Sequence, residues 1–199
     1  MRRTLAIVCA LVATSANAEV GIGVSAKTDS ATVYIPVTVE RFMFEPFVRA
    51  TNRDTESVST SGTIFPTTST SGSEFEGYAV GVGIFRLAPL ADRFTLYYGG
   101  RLASIDEEAK SFSVTGTTPP PSQPQQLSTA DGHSLMPALG FHYSIIERLS
   151  IGAEIGVEHT DVDTETINRS TTTGAITSTS TGNVASTDTR ANVILRFFF

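Results

Sequence analysis

The sequence predicts an all-β fold, an eight-stranded antiparallel up-and-down barrel that crosses a membrane. Three observations lead there. Apolar residues recur at every second position along most of the chain. The connections alternate between tight turns and long Ser/Thr-rich loops. No apolar run reaches the roughly 20 residues that a membrane helix needs. A chain that enters lipid without such a helix has to close its sheet, because an open edge leaves backbone groups unpaired.

The eight segments follow in order. Val20, Ile22, Val24 and Ala26 share one face of the first, and Val33, Ile35, Val37 and Val39 one face of the second. Phe42, Phe44, Val48 and Ala50 oppose Glu45 and Arg49 in the third. Tyr78, Val80, Val82 and Ile84 form the fourth, and Phe94, Leu96, Tyr98 and Leu102 oppose Arg101 in the fifth. Leu135, Leu139, Phe141, Tyr143 and Ile145 oppose His142 in the sixth. Ile151, Ala153, Ile155 and Val157 oppose Glu154 and Glu158 in the seventh. Ala191, Val193, Leu195, Phe197 and Phe199 oppose Asn192 and Arg196 in the last. Pro36, Pro46 and Pro137 interrupt three of these runs, and each is expected at a bulge or a strand end.

The apolar face points to lipid for three reasons. Its opposite parity is dominated by Gly, Ala and Ser, as a narrow lumen requires and a solvated surface does not. Short turns lie on one side and long loops on the other. Phe42, Phe44, Phe94, Phe141, Tyr143, Phe197 and Phe199 gather beside the short turns as an aromatic girdle. The turns repeat an acid, an arginine and an apolar residue: Glu40-Arg41-Phe42, Asp92-Arg93-Phe94 and Glu147-Arg148-Leu149.

The first residues read as an export signal. Arg2 and Arg3 precede an apolar stretch from Leu5 to Ala13, and Ala16-Asn17-Ala18 supplies small residues for cleavage before Glu19. Residues 1–18 are then the signal and residues 19–199 one barrel domain. Removing the signal takes the net charge from −6 to −8, since Arg2 and Arg3 go with it, and carries away Cys9, the one cysteine. The acidic balance argues against nucleic acid as a partner.

At this point a resemblance enters. The eight strands, the acid-Arg-apolar turns and the closing Ala191-Asn192-Val193-Ile194-Leu195-Arg196-Phe197-Phe198-Phe199 resemble small outer-membrane barrels of the OmpA, OmpX and opacity-protein type, without a peptidoglycan-binding domain. The resemblance implies a place in the outer membrane of a Gram-negative envelope, among lipid and lipopolysaccharide. It also implies recognition of terminal Phe199 by the barrel-assembly machinery.

Two residue sets carry the chemistry. Glu45, Arg49, Arg101, Glu154, Glu158 and Arg196 face the lumen, where a charge is costly unless paired, so an ion-pair network is expected to fill the bore. On the lipid parity beyond the apolar band lie Asp106, Glu108, Asp131, His133, Asp161, Asp163 and Glu165. If Ile145 pairs with Ile151, His133 stands opposite Asp163 and Asp131 opposite Glu165. This acidic rim is a candidate contact to lipopolysaccharide through divalent cations, although no firm metal site and no cofactor are assigned. The stretches from about Ser59 to Ser73 and Ser170 to Thr187 read as loops. So does the run Pro119-Pro120-Pro121-Ser122-Gln123-Pro124-Gln125-Gln126, and these loops are candidates for a host or phage surface ligand.

His142-Tyr143-Ser144 is similar to the His-x-Ser of the lipid A 3-O-deacylases, where a histidine serves as base for a serine nucleophile. That likeness implies Glu154 as a third member. The pair lies on the lumen parity, and Ile145 follows where that family has Asn. The expected function is therefore a non-enzymatic outer-membrane barrel serving surface interaction or envelope integrity. A narrow pore is the alternative, and a deacylase-like enzyme a lesser one.

Overall fold

The computed structural model describes residues 18–61, 67–115, 125–170 and 173–199. The strands are β1 (Ala18–Lys27), β2 (Ser30–Tyr34), β3 (Val37–Val39), β4 (Phe42–Ser61), β5 (Thr67–Ala91), β6 (Phe94–Thr115), β7 (Gln126–Ile146), β8 (Leu149–Arg169) and β9 (Ile176–Phe198). All neighbours are antiparallel. β1 also pairs with β9, from Gly21↔Phe198 to Val24↔Leu195, and so closes the ring. The expected leader lies outside the described residues apart from Ala18, and so does the proline-rich run apart from Gln125 and Gln126, the second of which is the first residue of β7 rather than loop.

Nine strands make eight staves, because β2 and β3 are two halves of one. Tyr34 faces Gly23 and Phe47, and Val37 faces Val20 and Phe44, so the register is unchanged across Ile35 and Pro36. The Gly21 amide donates to the Pro36 carbonyl and the Ile35 amide to the Pro46 carbonyl, both at 2.9 Å. Each proline therefore omits one return bond and leaves the pleat intact.

This corrects the expectation for the prolines. Pro46 and Pro137 stay in register with Val82 and Gly100, and only Pro36 marks a strand boundary. The irregularities fall at Pro89/Ala91, Ser144/Ile146 and Asn168/Arg169. Two of them sit just before the second and third tight turns. The first turn has no bulge, and instead Glu40 takes a left-handed φ of 53°. Three similar tripeptides thus make turns in two ways.

The exterior inverts that of a water-soluble protein. Ile22, Val48, Ile84, Leu102, Ile155 and Val193 are all exposed, as is most of the predicted apolar parity. The buried polar residues inside include Glu45, Arg101, Glu154, Glu158 and Arg196. A continuous apolar belt around buried charge is stable only where lipid is the solvent. At the turn end the rings of Phe94 and Phe141 stack 5.2 Å apart, within the predicted girdle.

The lumen is not filled by small residues alone. Tyr34, Phe47, Ala79, Ala103, Ile105 and Ile194 form one interior cluster. Met43, Phe85, Leu87, Tyr97, Met136 and Ala138 form another, nearer the turns. The lumen glycines make the large rings possible. A Cβ at Gly140 would meet the Tyr97 ring, and one at Gly83 the Phe85 ring. Gly140→Val should therefore lower the unfolding free energy by about 1–3 kcal/mol through overpacking. Urea titration in detergent micelles measures this, and an unchanged midpoint would show that the ring moves freely.

The strands also run farther than expected. A transmembrane strand needs about 9–11 residues, but β4 to β9 have 20 to 25. Most of the two Ser/Thr-rich stretches read as loops is therefore strand, with Ser61↔Thr67 and Arg169↔Ile176 as the last pairs. Threonine suits a pleated strand whether or not lipid lies outside it.

Candidate functional site

The lumen charges are placed by parity and by the pleat. Glu45 on β4, Arg101 on β6, Glu154 on β8 and Arg196 on β9 all point inward at one level. Arg196 Nε donates to Glu45 Oε1 at 2.7 Å. Arg101 Nη2 donates to Glu45 Oε2 at 2.5 Å. Arg101 also grips Glu154 with two parallel bonds, Nε to Oε1 at 3.0 Å and Nη2 to Oε2 at 2.8 Å. Such a fork fixes orientation as well as charge.

Aromatic faces complete the layer. The Arg101 guanidinium lies 4.8 Å from the Tyr34 ring centre, 5.3 Å from Phe47 and 4.9 Å from Phe85. That of Arg196 lies 5.1 Å from Tyr97. In a water-poor interior each cation over a ring is stabilised by the negative ring face. Two arginines and two glutamates balance in charge and close the bore across four strands.

A second layer lies farther from the turns. Glu158 is flanked by Arg49 at 3.1 Å and Arg190 at 2.5 Å. A cavity of about 30 Å³ remains, touched by Arg101 and also by Arg49, Glu158 and Arg190. That is room for roughly two water molecules. All six predicted lumen charges thus fall into two layers. Arg190 was missed, as were the aromatic rings. Carrying the inward parity two residues beyond Asn192 finds Arg190, and carrying it beyond Arg101 through Ala103 and Ile105 finds half-buried Glu107.

The acidic rim lies on the outer face, beyond outward Leu102 on β6, Leu135 on β7 and Val157 on β8, and Asp106 stands opposite outward Tyr78 of β5. Asp106, Asp131 and Asp163 stand directly opposite one another across β6, β7 and β8. His133 faces Asp161, and Glu165 faces Thr129. The expected partners His133–Asp163 and Asp131–Glu165 are thus each displaced by two residues. The cause is the third turn. Ile146 pairs with Leu149 around Glu147-Arg148, and the irregularity at Ser144/Ile146 then sets Tyr143, not Ile145, opposite Ile151. The shift is even, so every side chain keeps its face.

Within the rim, Asn183 Nδ2 donates to Asp161 Oδ1 at 2.7 Å and to Asp163 Oδ1 at 3.3 Å. Glu108 pairs with Lys110 at 2.6 Å. Among the described residues no three His, Cys, Asp or Glu side chains are placed to hold a metal ion.

His142 and Ser144 both face the lumen, near the third turn. The His142 ring stacks on Tyr97 at 6.0 Å, and its buried Nδ1 has no hydrogen-bond partner among the described residues. The Glu154 carboxylate is held by Arg101. The acid therefore does not orient the histidine as a triad requires.

No family model matches the chain, and no curated protein matches it. Solved structures do. A major outer membrane protein of Thermus thermophilus superposes with a TM-score of 0.60 at 9% identity, over 92% of this chain and 100% of that one. Ail, the attachment invasion locus protein of Yersinia pestis, matches with a TM-score of 0.40 at 12% identity, over 92% and 96% of the two chains. CarO2 of Acinetobacter baumannii matches with 0.43 at 9%, over 91% and 98%. The Thermus likeness is one of fold, and together with the apolar belt and the closed ring it makes this chain an outer-membrane-type β-barrel.

Proposed function

We propose that this protein is a non-conducting barrel of the outer membrane whose work is done at the cell surface, in surface interaction or envelope integrity. One observation carries the reading. Two successive ion-pair layers, with aromatic rings packed on the first, occupy the bore. A solute path would have to break buried, bidentate pairs, each costly to separate. The polar strand extensions beyond the membrane offer far more surface than anchoring needs.

The partners proposed are those met at each depth. Phe199 is the recognition element for the assembly machinery. The row of Asp106, Asp131 and Asp163 supports divalent cations shared with lipopolysaccharide phosphates, the lipid completing each ion's shell. The polar extensions are the contact for a host or phage ligand.

Refolded protein in a planar lipid bilayer should stay electrically silent, while bacteria lacking it should lose surface retention or detergent resistance. Stable unitary openings that change in Arg101→Ala would instead establish the pore. Unaltered retention and resistance would remove the surface role.

A further inference from the structure

The staves are unequal. β1 and β2 turn back at Thr28-Asp29, so the first hairpin stops near the outer edge of the apolar belt. β2 accompanies β4 only as far as Ser30↔Thr51, and β1 accompanies β9 only as far as Val24↔Leu195. β4 to β9 continue beyond it as a paired sheet of six strands. The projecting wall is therefore open by a slot two staves wide, edged by β9 on one side and by β4 on the other.

The two edges differ. β4 is blunted: Asp54 and Glu56 stand on it, the Asn52 amide donates to the Asp29 carbonyl at 2.8 Å, and Arg53 pairs with Asp29 at 2.8 Å. Charge and cover of this kind prevent strand addition. β9 carries neither. From Ile176 to Thr187 it has no charged residue and no proline, and all fourteen residues from Ile176 to Thr189 are exposed.

Its backbone groups are already aimed. The Phe198 amide donates to Arg148 on the β8 side and the Phe199 amide to Val20 on the β1 side. With no register shift against β8 up to Ser178, the odd-numbered residues all turn away from β8. Thr179, Thr181, Asn183, Ala185, Thr187 and Thr189 thus present their N–H and C=O groups to a stave that no described residue fills.

We infer that the free edge of β9 is a docking site for an extended, uncharged polypeptide strand from outside the cell, added by backbone pairing in the stave that β1 fills lower down. The inference rests on the surface-interaction reading and names its site. Continuity with the β1–β9 pairing sets the twist and an antiparallel direction for the added strand. The absence of charge from Ile176 to Thr187 selects an uncharged segment, and exposed Val184, on the inner face beside buried Val162, favours an apolar inward residue. A second copy in the same membrane fits less well. Two copies point the same way, so β9 would meet β9 in parallel or β4 at its charged, covered edge.

The test uses the refolded full chain in lipid nanodiscs and a fluorescent alternating Thr-Val peptide long enough to span the uncharged stretch from Ile176 to Thr187. Ala185→Pro removes one amide facing the slot and spares the β8 ladder. Ala185→Lys with Thr181→Lys blunts the same edge by charge, should the proline variant not fold. The peptide should bind the unaltered protein and bind either variant about tenfold more weakly. Equal binding to all, or none to any, overturns the assignment. Dimers that the proline variant dissolves overturn it in favour of a second copy. Bacteria that keep full surface retention with Ala185→Pro would remove the edge and leave the surface role standing.

Discussion

Replacing Glu45 by alanine should abolish stable folding or lower the unfolding free energy by about 3–5 kcal/mol, the cost of stranding a buried charge. Glu45 and Arg196 are both 0% exposed, and Glu45 is the one carboxylate paired with Arg196 among the described residues. Arg101 keeps Glu154, so the damage falls mainly on Arg196. Glu45→Gln should lie between the two, retaining an acceptor without the charge. The double variant Glu45→Leu with Arg196→Leu should recover most of the loss, because removing both partners leaves an apolar contact in place of an orphaned cation. Urea unfolding in lipid vesicles, read by gel mobility of the folded form, measures all of these. A single variant within about 1 kcal/mol of the unaltered protein would mean that water reaches Arg196 and that the layer is not a seal.

The second large effect concerns where lipid begins and ends. Ala153 faces outward near the middle of the apolar stretch of β8, between Ile151 and Ile155. Arginine there should destabilise the barrel by about 2–4 kcal/mol, the value for a lipid-facing charge at the bilayer midplane. Glu165→Arg, on the same face of the same strand but beyond the belt, should change stability by no more than about 0.5 kcal/mol. The contrast tests the membrane boundary inferred from the change of Val157 to His159 and Asp161. Equal effects at both positions would place the belt incorrectly.

The fold was legible in the sequence because a closed barrel has a single rule, alternation, and the rule is local. Val20, Ile22 and Val24 announce their face without reference to any other strand. The lumen charges were legible for the same reason, since Glu45, Arg49 and Arg101 stand out against Gly and Ser on the inward parity. What alternation cannot supply is register and extent. Moving the β7–β8 pairing by two residues leaves every residue on its own face, so Asp131↔Asp163 and Asp131↔Glu165 look alike until the turn is seen. Strand length escaped because the apolar signal ends with the membrane, while Ser and Thr continue the pairing in water. The interior rings of Tyr34, Phe85 and Tyr97 escaped because a parity rich in Gly and Ala reads as small. In fact Gly83 and Gly140 are small so that the rings of Phe85 and Tyr97 can lie over them.

The joint between β1 and β9 has one more consequence. Adjacent long strands are stitched by many pairs between near neighbours in sequence, but this joint has four pairs, between residues 171 to 177 positions apart. Bringing such distant segments together sacrifices the most chain freedom for the smallest return in bonds. The zipping of hairpins from the tight turns can run to completion while this joint is still open. The Glu45–Arg196 pair then forms last, because Arg196 reaches Glu45 only when the two ends of the sheet come round to each other. Assembly is therefore a rolling-up with a late latch, and the hydrophobic skin forms before the polar heart is sealed.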